Sequence, residues 1–326
     1  MNRRLVIGIV LISLLNGSSA FLSRAEIKKG LYLQNVSTDG ITVMWESDTS
    51  PAGAVEYGLT PAYGISAGSL PFLSLCGTFL HEVVLSGLAP GSHYYYRVED
   101  GDLSSSASSF HIPAEEFTAF TFAAYGDNRS GRPAHFTRHS RVIGAILEGE
   151  LPDLVINLGD AVEAGDFCGE TSFFGWGKEY FSPGLALFEK VPSYVAIGNH
   201  EYDDSGNPAY FQDYFSFPDN PAADPADRDL WYSFDYGNTH FTVINTNYYD
   251  VGGGYWPGSD QYQWLEYDLK NSAAVWKVVA FHHPPSASFP RNRSKESRYL
   301  VPLFERYGVQ IVLHGPDHFY DRSRKR

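Results

Sequence analysis

Tyr194-Val195-Ala196-Ile197-Gly198-Asn199-His200-Glu201 is the stretch whose pattern decides the fold. Four apolar residues pass through a glycine into an amide, an imidazole and a carboxylate. A short, unbroken apolar run of this kind suits a strand buried on both faces. The pattern recurs along the second half of the chain. Phe120–Tyr125 runs into Gly126-Asp127-Asn128-Arg129, and Leu154–Leu158 into Gly159-Asp160. Val278–Phe281 runs into His282-His283-Pro284, and Val309–Leu313 into His314-Gly315-Pro316-Asp317-His318. In open sheets, residues just past the carboxyl ends of strands converge on a common crevice. Asp127, Asp160, Asn199 with His200, His282 and His318 are therefore expected to meet.

Oxygen and imidazole donors together suit Zn, Fe or Mn, without thiolates. The glycine before Asp127, Asp160 and Asn199 allows a tight turn and leaves room for a bulky ligand. An aspartate or asparagine after a single strand is more commonly a turn former; only the ordered series points to a metal site. His283 competes with His282 as a ligand, but His282 directly follows the apolar run. His240 lies inside a strand-like run and reads as a structural histidine with satisfied hydrogen bonds.

Between the strands, Phe136, Ile143, Ile146 and Leu147 fall on one helical face, and Gln261 to Leu269 forms another helical candidate. Trp231–Phe234 and Phe241–Ile244 flank Asp235-Tyr236-Gly237-Asn238, an expected hairpin turn. Before residue 113 the texture differs. Gly40–Trp45 alternates, 54–58, 81–85 and 94–98 are further strand candidates, and Pro90-Gly91 marks a turn. Short strands at this spacing predict a small β-sandwich.

The composition is globular, with 43% hydrophobic, 19% charged and 15% aromatic residues in a chain of 326, which suits about two domains. A net charge of −14 argues against a nucleic-acid surface or an anionic membrane, since both need a basic face. An anionic phosphate would have to be met locally, by metal ions. Arg3 and Arg4, the apolar run Leu5 to Leu15 and small residues up to Ala20 predict an export signal over 1–20, hence a secreted or periplasmic protein. An uncleaved anchor is the alternative. Cys76 and Cys168, the two cysteines, are compatible with either a disulfide or two thiols.

The series Gly126-Asp127, Gly159-Asp160, Gly198-Asn199-His200-Glu201, His282-x-Pro284 and Gly315-x-x-His318 resembles the calcineurin-like metallophosphoesterases, and within them the purple-acid-phosphatase group. Glu56-Tyr57-Gly58-Leu59-Thr60 and Leu88-Ala89-Pro90-Gly91-Ser92 resemble phrases of the fibronectin-type-III-like sandwich that precedes that group's catalytic domain. The resemblance implies an α+β chain, with a sandwich over 28–113 and a four-layer α/β/β/α catalytic domain over 118–326. It implies two metal ions, with Asp127 and His318 on one, Asn199 and His282 on the other, and Asp160 bridging. A bridging hydroxide would attack a phosphate monoester, with diesters as the alternative, and His200 would protonate the leaving alcohol. Arg129 offers a phosphate contact, or is a solvated surface arginine.

Three departures accompany the resemblance. Pro316 stands where the group carries a ligating histidine, with His314 two residues earlier as a poor substitute. Glu163 replaces the tyrosine that colours the purple enzymes, so no charge-transfer band is expected. The chain stops at Arg326, where relatives continue with further strands. The rival function is accordingly a catalytically impaired relative that binds a phosphate ligand or a protein. Specificity is expected in the loops around Phe167–Trp176 and Tyr248–Trp256.

Overall fold

The structure is a computed structural model that describes residues 27–48, 52–115, 119–129, 137–169, 174–219, 224–247, 254–283 and 295–315. The expected export segment, Phe136, Tyr248, Tyr249, Pro284, Pro316 and His318 lie outside the described residues.

The first part is built from antiparallel strands. β1 (Ile27–Gln34), β2 (Gly40–Ser47), β5 (Phe72–Leu73) and β6 (Phe79–Ser86) form one sheet in the order β1-β2-β6-β5. β3 (Gly53–Gly58), β4 (Ile65–Gly68), β7 (His93–Asp100) and β8 (Leu103–Ser104) form the other, with β9 (Ser108–His111) paired to β7. Tyr94, Tyr96 and Val98 alternate inward along β7, as a strand with one face on a core must. Across the sheets, the Trp45 indole N–H donates to Asp100 Oδ2 at 2.8 Å.

β2 departs from the expected alternation, since all eight of its residues are buried. The reason is that the outer face of this sheet is covered by the second part of the chain. Tyr32 donates its hydroxyl to the Tyr214 carbonyl at 2.9 Å, and Ser216 donates its hydroxyl to Glu82 at 2.7 Å. The buried ion pair of Lys29 with Glu46 sits there too, with the Lys29 ammonium 4.9 Å from the Tyr214 ring centre. Cys76 is disulfide-bonded to Cys168, with 5.8 Å between their Cα atoms. The bond joins the two parts.

The second part holds two sheets between helices. β10 (Phe122–Tyr125), β11 (Leu154–Asn157) and β12 (Ser193–Val195) run parallel. Outside them lie α1 (Thr137–Glu148) and α2 (Ser182–Phe188), which pack on each other. β13 (Tyr232–Tyr236), β14 (Thr239–Val243), β15 (Trp276–Phe281) and β16 (Ile311–His314) form the second sheet, in that order. It is covered by α4 (Asp260–Asn271) and α5 (Lys295–Tyr307). The facing sheets meet through aromatic rings, such as Tyr194 stacked on Phe234 at 3.8 Å and Phe122 edge-on to Phe241 at 5.4 Å. α4 buries Trp264, Leu265 and Leu269, the helical face expected from their spacing. No helix among the described residues is long and apolar enough to cross a membrane.

Three expectations need correction. β10 and β16, each at an end of its sheet among the described residues, are only partly buried. The hairpin turn is shorter than expected, since β13 runs to Tyr236 and pairs it with Thr239. Gly237, at φ +59°, and Asn238 make the turn, a two-residue connection that suits strand twist. Finally, α2, α3 (Ala209–Tyr214) and α5 have no counterpart among the expected helices. α2 and α3 are only seven and six residues long, too short to display a period.

Candidate metal centre

The site is made where the chain leaves β10, β11, β12 and β15. Asp127 and Asp160 both have left-handed backbones, at φ +50° and +52°, which non-glycine residues adopt at a cost of about 1–3 kcal/mol, typically at functional sites. Their loops are tied together. The Asp127 N–H donates to the Gly159 carbonyl at 2.9 Å, and the Arg129 N–H to the Asp160 carbonyl at 3.1 Å. Asn128, which is buried, donates to the Ala161 carbonyl at 3.0 Å and accepts from Asn157 at 2.7 Å.

Asp127, Asp160 and His282 each offer a donor atom within 4.8 Å of the others. His282 is fully buried at the end of β15, and its Nδ1–H donates to the Leu158 carbonyl at 2.8 Å. That contact fixes the tautomer and turns Nε2 inward, as ligating histidines require. Nε2 lies 3.3 Å from Asp160 Oδ1 without a well-formed hydrogen bond among the described residues. Glycine walls the cluster. A Cβ on Gly315 would lie 2.8 Å from Asp127 Oδ2, and one on Gly198 would lie 2.5 Å from Asp160 Oδ1. Two carboxylates and a pre-oriented imidazole in a side-chain-free cradle fit a transition-metal cation.

The carboxylate and the imidazole shift each other in opposite directions. Burial pushes the Asp160 carboxyl up, but His282, His200 and Arg129 outweigh it and hold the group well below the usual carboxylate range. Burial pulls His282 down, yet the Asp160 carboxylate beside it carries its pKa up to about 9.

The other expected residues are placed as follows. His200 is half-buried; its backbone N–H donates to Asp160 Oδ1 at 3.2 Å, and its Nδ1–H to the Glu163 carbonyl at 2.7 Å. Nε2 is left facing the site, 3.9 Å from Asp160 Oδ2. Arg129 donates from Nε to Asp160 Oδ2 at 3.1 Å and from Nη1 to Glu163 Oε2 at 2.6 Å. Asn199 is exposed at the start of the 3-10 turn Asn199–Glu201, between Gly198 and His200, which both touch Asp160. The His283 backbone N–H donates to the Thr246 hydroxyl at 3.0 Å, and its ring Nδ1 lies 3.4 Å from the same oxygen. His240 is held between Asp235 and Asp268, at 2.7 and 2.8 Å. Trp256 is exposed.

Sequence reasoning missed the residues that hold these groups in place. Glu201 is buried, and its carboxylate accepts the backbone N–H groups of Gly198 at 2.6 Å, Asp160 at 3.0 Å and Ala161 at 2.7 Å. Burial, followed by the Asp160 charge, raises its pKa to about 7. Glu179 accepts from the N–H groups of Glu163 and Gly175 at 2.9 and 2.7 Å. Asn247 donates to the carbonyls of Ile197 and Gly198 at 3.1 and 3.2 Å. A signal for Asn247 existed, since the strand-like run Phe241–Ile244 also ends in a polar cluster.

Residues 110–320 match the family described as Calcineurin-like phosphoesterase, and residues 29–112 the Purple acid Phosphatase, N-terminal domain. Purple acid phosphatase 23 of Arabidopsis thaliana is 27% identical over 289 residues, covering 78% of this chain and 59% of the relative. Probable inactive purple acid phosphatase 9 of the same plant is 29% identical, covering 74% of this chain and 42% of its own length. The chain thus spans about half the length of these curated relatives. A solved structure of PhoD superposes with a TM-score of 0.64 at 18% identity, over 90% of this chain and 72% of that one, a likeness of fold alone.

Proposed function

The chain belongs to the calcineurin-like phosphoesterase family, and from that premise we propose that it hydrolyses phosphate monoesters, with diesters as the alternative, in a secreted or periplasmic setting. The observation that carries this is the convergence of Asp127, Asp160 and His282 within 4.8 Å. The family implies a dinuclear metal centre. Asp127, Asp160 and His282 would hold metal, with Asn199 and His318 as the further ligands the motif series provides. Zn, Fe and Mn all suit this donor set. Bound metal would supply Lewis acidity, neutralising phosphate charge and easing deprotonation of water.

The protein's own groups do the rest. His200 donates its Nδ1–H to the Glu163 carbonyl, so Nε2 is the atom that carries the exchangeable proton. Facing the site, Nε2 can protonate a departing alcohol oxygen. Arg129 is anchored by Asp160 and Glu163 through two of its five N–H groups, and the others, without a partner among the described residues, can bind phosphate oxygens. Glu201 keeps Asp160 and the turn carrying His200 in register. Export is supported by the Cys76–Cys168 bond, a linkage typical of oxidising compartments.

The test is hydrolysis of a chromogenic phosphate monoester in excess metal, with Asp160→Ala as control. Activity in the wild type that Asp160→Ala abolishes is expected. Equal rates in the two proteins would overturn the proposal. The second function, a phosphate-binding relative without turnover, draws on Pro316 in the sequence and on the existence of a relative named as probably inactive. It would show phosphate binding that depends on Asp160 and no hydrolysis of mono- or diesters.

A further inference from the structure

The two oxygens of the Asp160 carboxylate face different positive partners. Oδ1 faces the His282 imidazole at 3.3 Å and accepts the His200 backbone N–H at 3.2 Å. Oδ2 accepts from the Arg129 guanidinium at 3.1 Å. A carboxylate bridges two metal ions either with one oxygen on each or with both ions on a single oxygen, which here would be Oδ1, already accepting the His200 N–H. Here the second oxygen is already given to a group that has no lone pair and does not lose its proton.

The guanidinium is also fixed in place. Its Nη1 donates to Glu163 Oε2 at 2.6 Å, and its own backbone N–H donates to the Asp160 carbonyl. Glu163 is itself held, because its N–H donates to the buried Glu179 carboxylate at 2.9 Å. Glu163 thus directs its carboxylate to Arg129 and its carbonyl to His200. A cation brought to Oδ2 would meet a like charge at short range. Among the described residues, the Asp127, Asp160 and His282 donors, in contrast, form one compact group.

We propose that Arg129 takes the place of one of the two cations. The centre then holds one metal ion, among Asp127, Asp160 and His282, and the Glu163-anchored guanidinium supplies the second positive charge to the phosphate. The proposal rests on the phosphoesterase reading for the nature of the ligand, whereas its test does not require turnover.

That test is elemental analysis of the full chain after dialysis from excess Zn or Mn, together with equilibrium binding of inorganic phosphate. The wild type should retain one ion per chain. Arg129→Ala should retain its metal but bind phosphate about 10- to 100-fold more weakly, the range for losing a charge-assisted fork. Added guanidinium chloride, below denaturing levels, should restore part of that loss. Arg129→Lys should recover little, because an ammonium lacks the planar fork. Glu163→Gln should keep the ion and weaken phosphate binding less than Arg129→Ala does. Two ions per wild-type chain, or phosphate binding unchanged in Arg129→Ala, would overturn the proposal. One ion with Arg129-dependent phosphate binding but no ester hydrolysis would support it while overturning the hydrolase reading.

Discussion

At the scale of single residues, the centre depends on groups that hold its donors as much as on the donors. Glu201 gives its buried carboxylate to backbone N–H groups of two loops. Removing it strands buried donors, each costing about 1–3 kcal/mol when left unsatisfied. Glu201→Ala should therefore lower stability by about 2–4 kcal/mol and weaken metal retention. Glu201→Gln keeps acceptor capacity and should lose less; chemical denaturation with metal analysis reads both. His200 differs, because its backbone N–H donates to Asp160 while its ring, held at Nδ1 by the Glu163 carbonyl, presents Nε2 to the site 3.9 Å from Asp160 Oδ2. His200→Ala should reduce turnover about 10²- to 10⁴-fold, the range for a positioned proton donor, with metal content unchanged. A fall in bound metal would contradict its role as proton donor. Asp127, Asp160 and His282 were legible because each ends an apolar run. Glu201 sat inside a quoted motif, but two of its partners, Asp160 and Ala161, lie about 40 residues away, and a backbone-accepting carboxylate leaves no spacing to read. The Arg129–Glu163 pair was hidden for the same reason.

Between elements, His240 of β14 joins the β13 hairpin strand to α4. Its ring is shared by Asp235 and Asp268, and Asp268 also accepts from Ser233 and Thr242 at 2.8 and 3.0 Å. Burial pulls its pKa down, but the two carboxylates raise it to about 9. A histidine whose folded pKa is raised stabilises fully below its unfolded value near 6.5, and that contribution is lost as pH rises through the folded value. With Asp235 largely exposed, solvent screening leaves about 1–2 kcal/mol. Stability should fall by that amount between pH 6.5 and just above 9, and His240→Gln should flatten this slope in denaturant titrations. A wild-type slope that survives the substitution would assign the effect elsewhere. The strands read well from sequence because a buried strand is a continuous apolar run. α2 and α3 did not, since their length allows less than two turns. Nor could the sequence show that β2 is covered on both faces, because the covering residues Tyr214 and Ser216 lie 182 and 134 residues from their partners Tyr32 and Glu82 along the chain.

For the molecule as a whole, the Cys76–Cys168 bond ties the first part to the segment that follows Asp160 and carries Glu163. Cross-linking across 92 residues restricts the unfolded chain, and its removal typically costs about 2–4 kcal/mol. Cys76→Ser with Cys168→Ser should thus lower Tm, and should raise KM more than it lowers kcat if the tether steadies Glu163 and through it Arg129. A Tm equal to the wild type's would show that the bond adds nothing. The sequence admitted a bond or two thiols equally, since pairing depends on how the two parts dock. The most direct measurement is anomalous diffraction at the metal edge from crystals grown in excess Zn or Mn. A peak should appear about 2.0–2.2 Å from a carboxylate oxygen of Asp127, one of Asp160, and Nε2 of His282. A saturated crystal with no peak there, or with the ion bound by other side chains, would contradict the account.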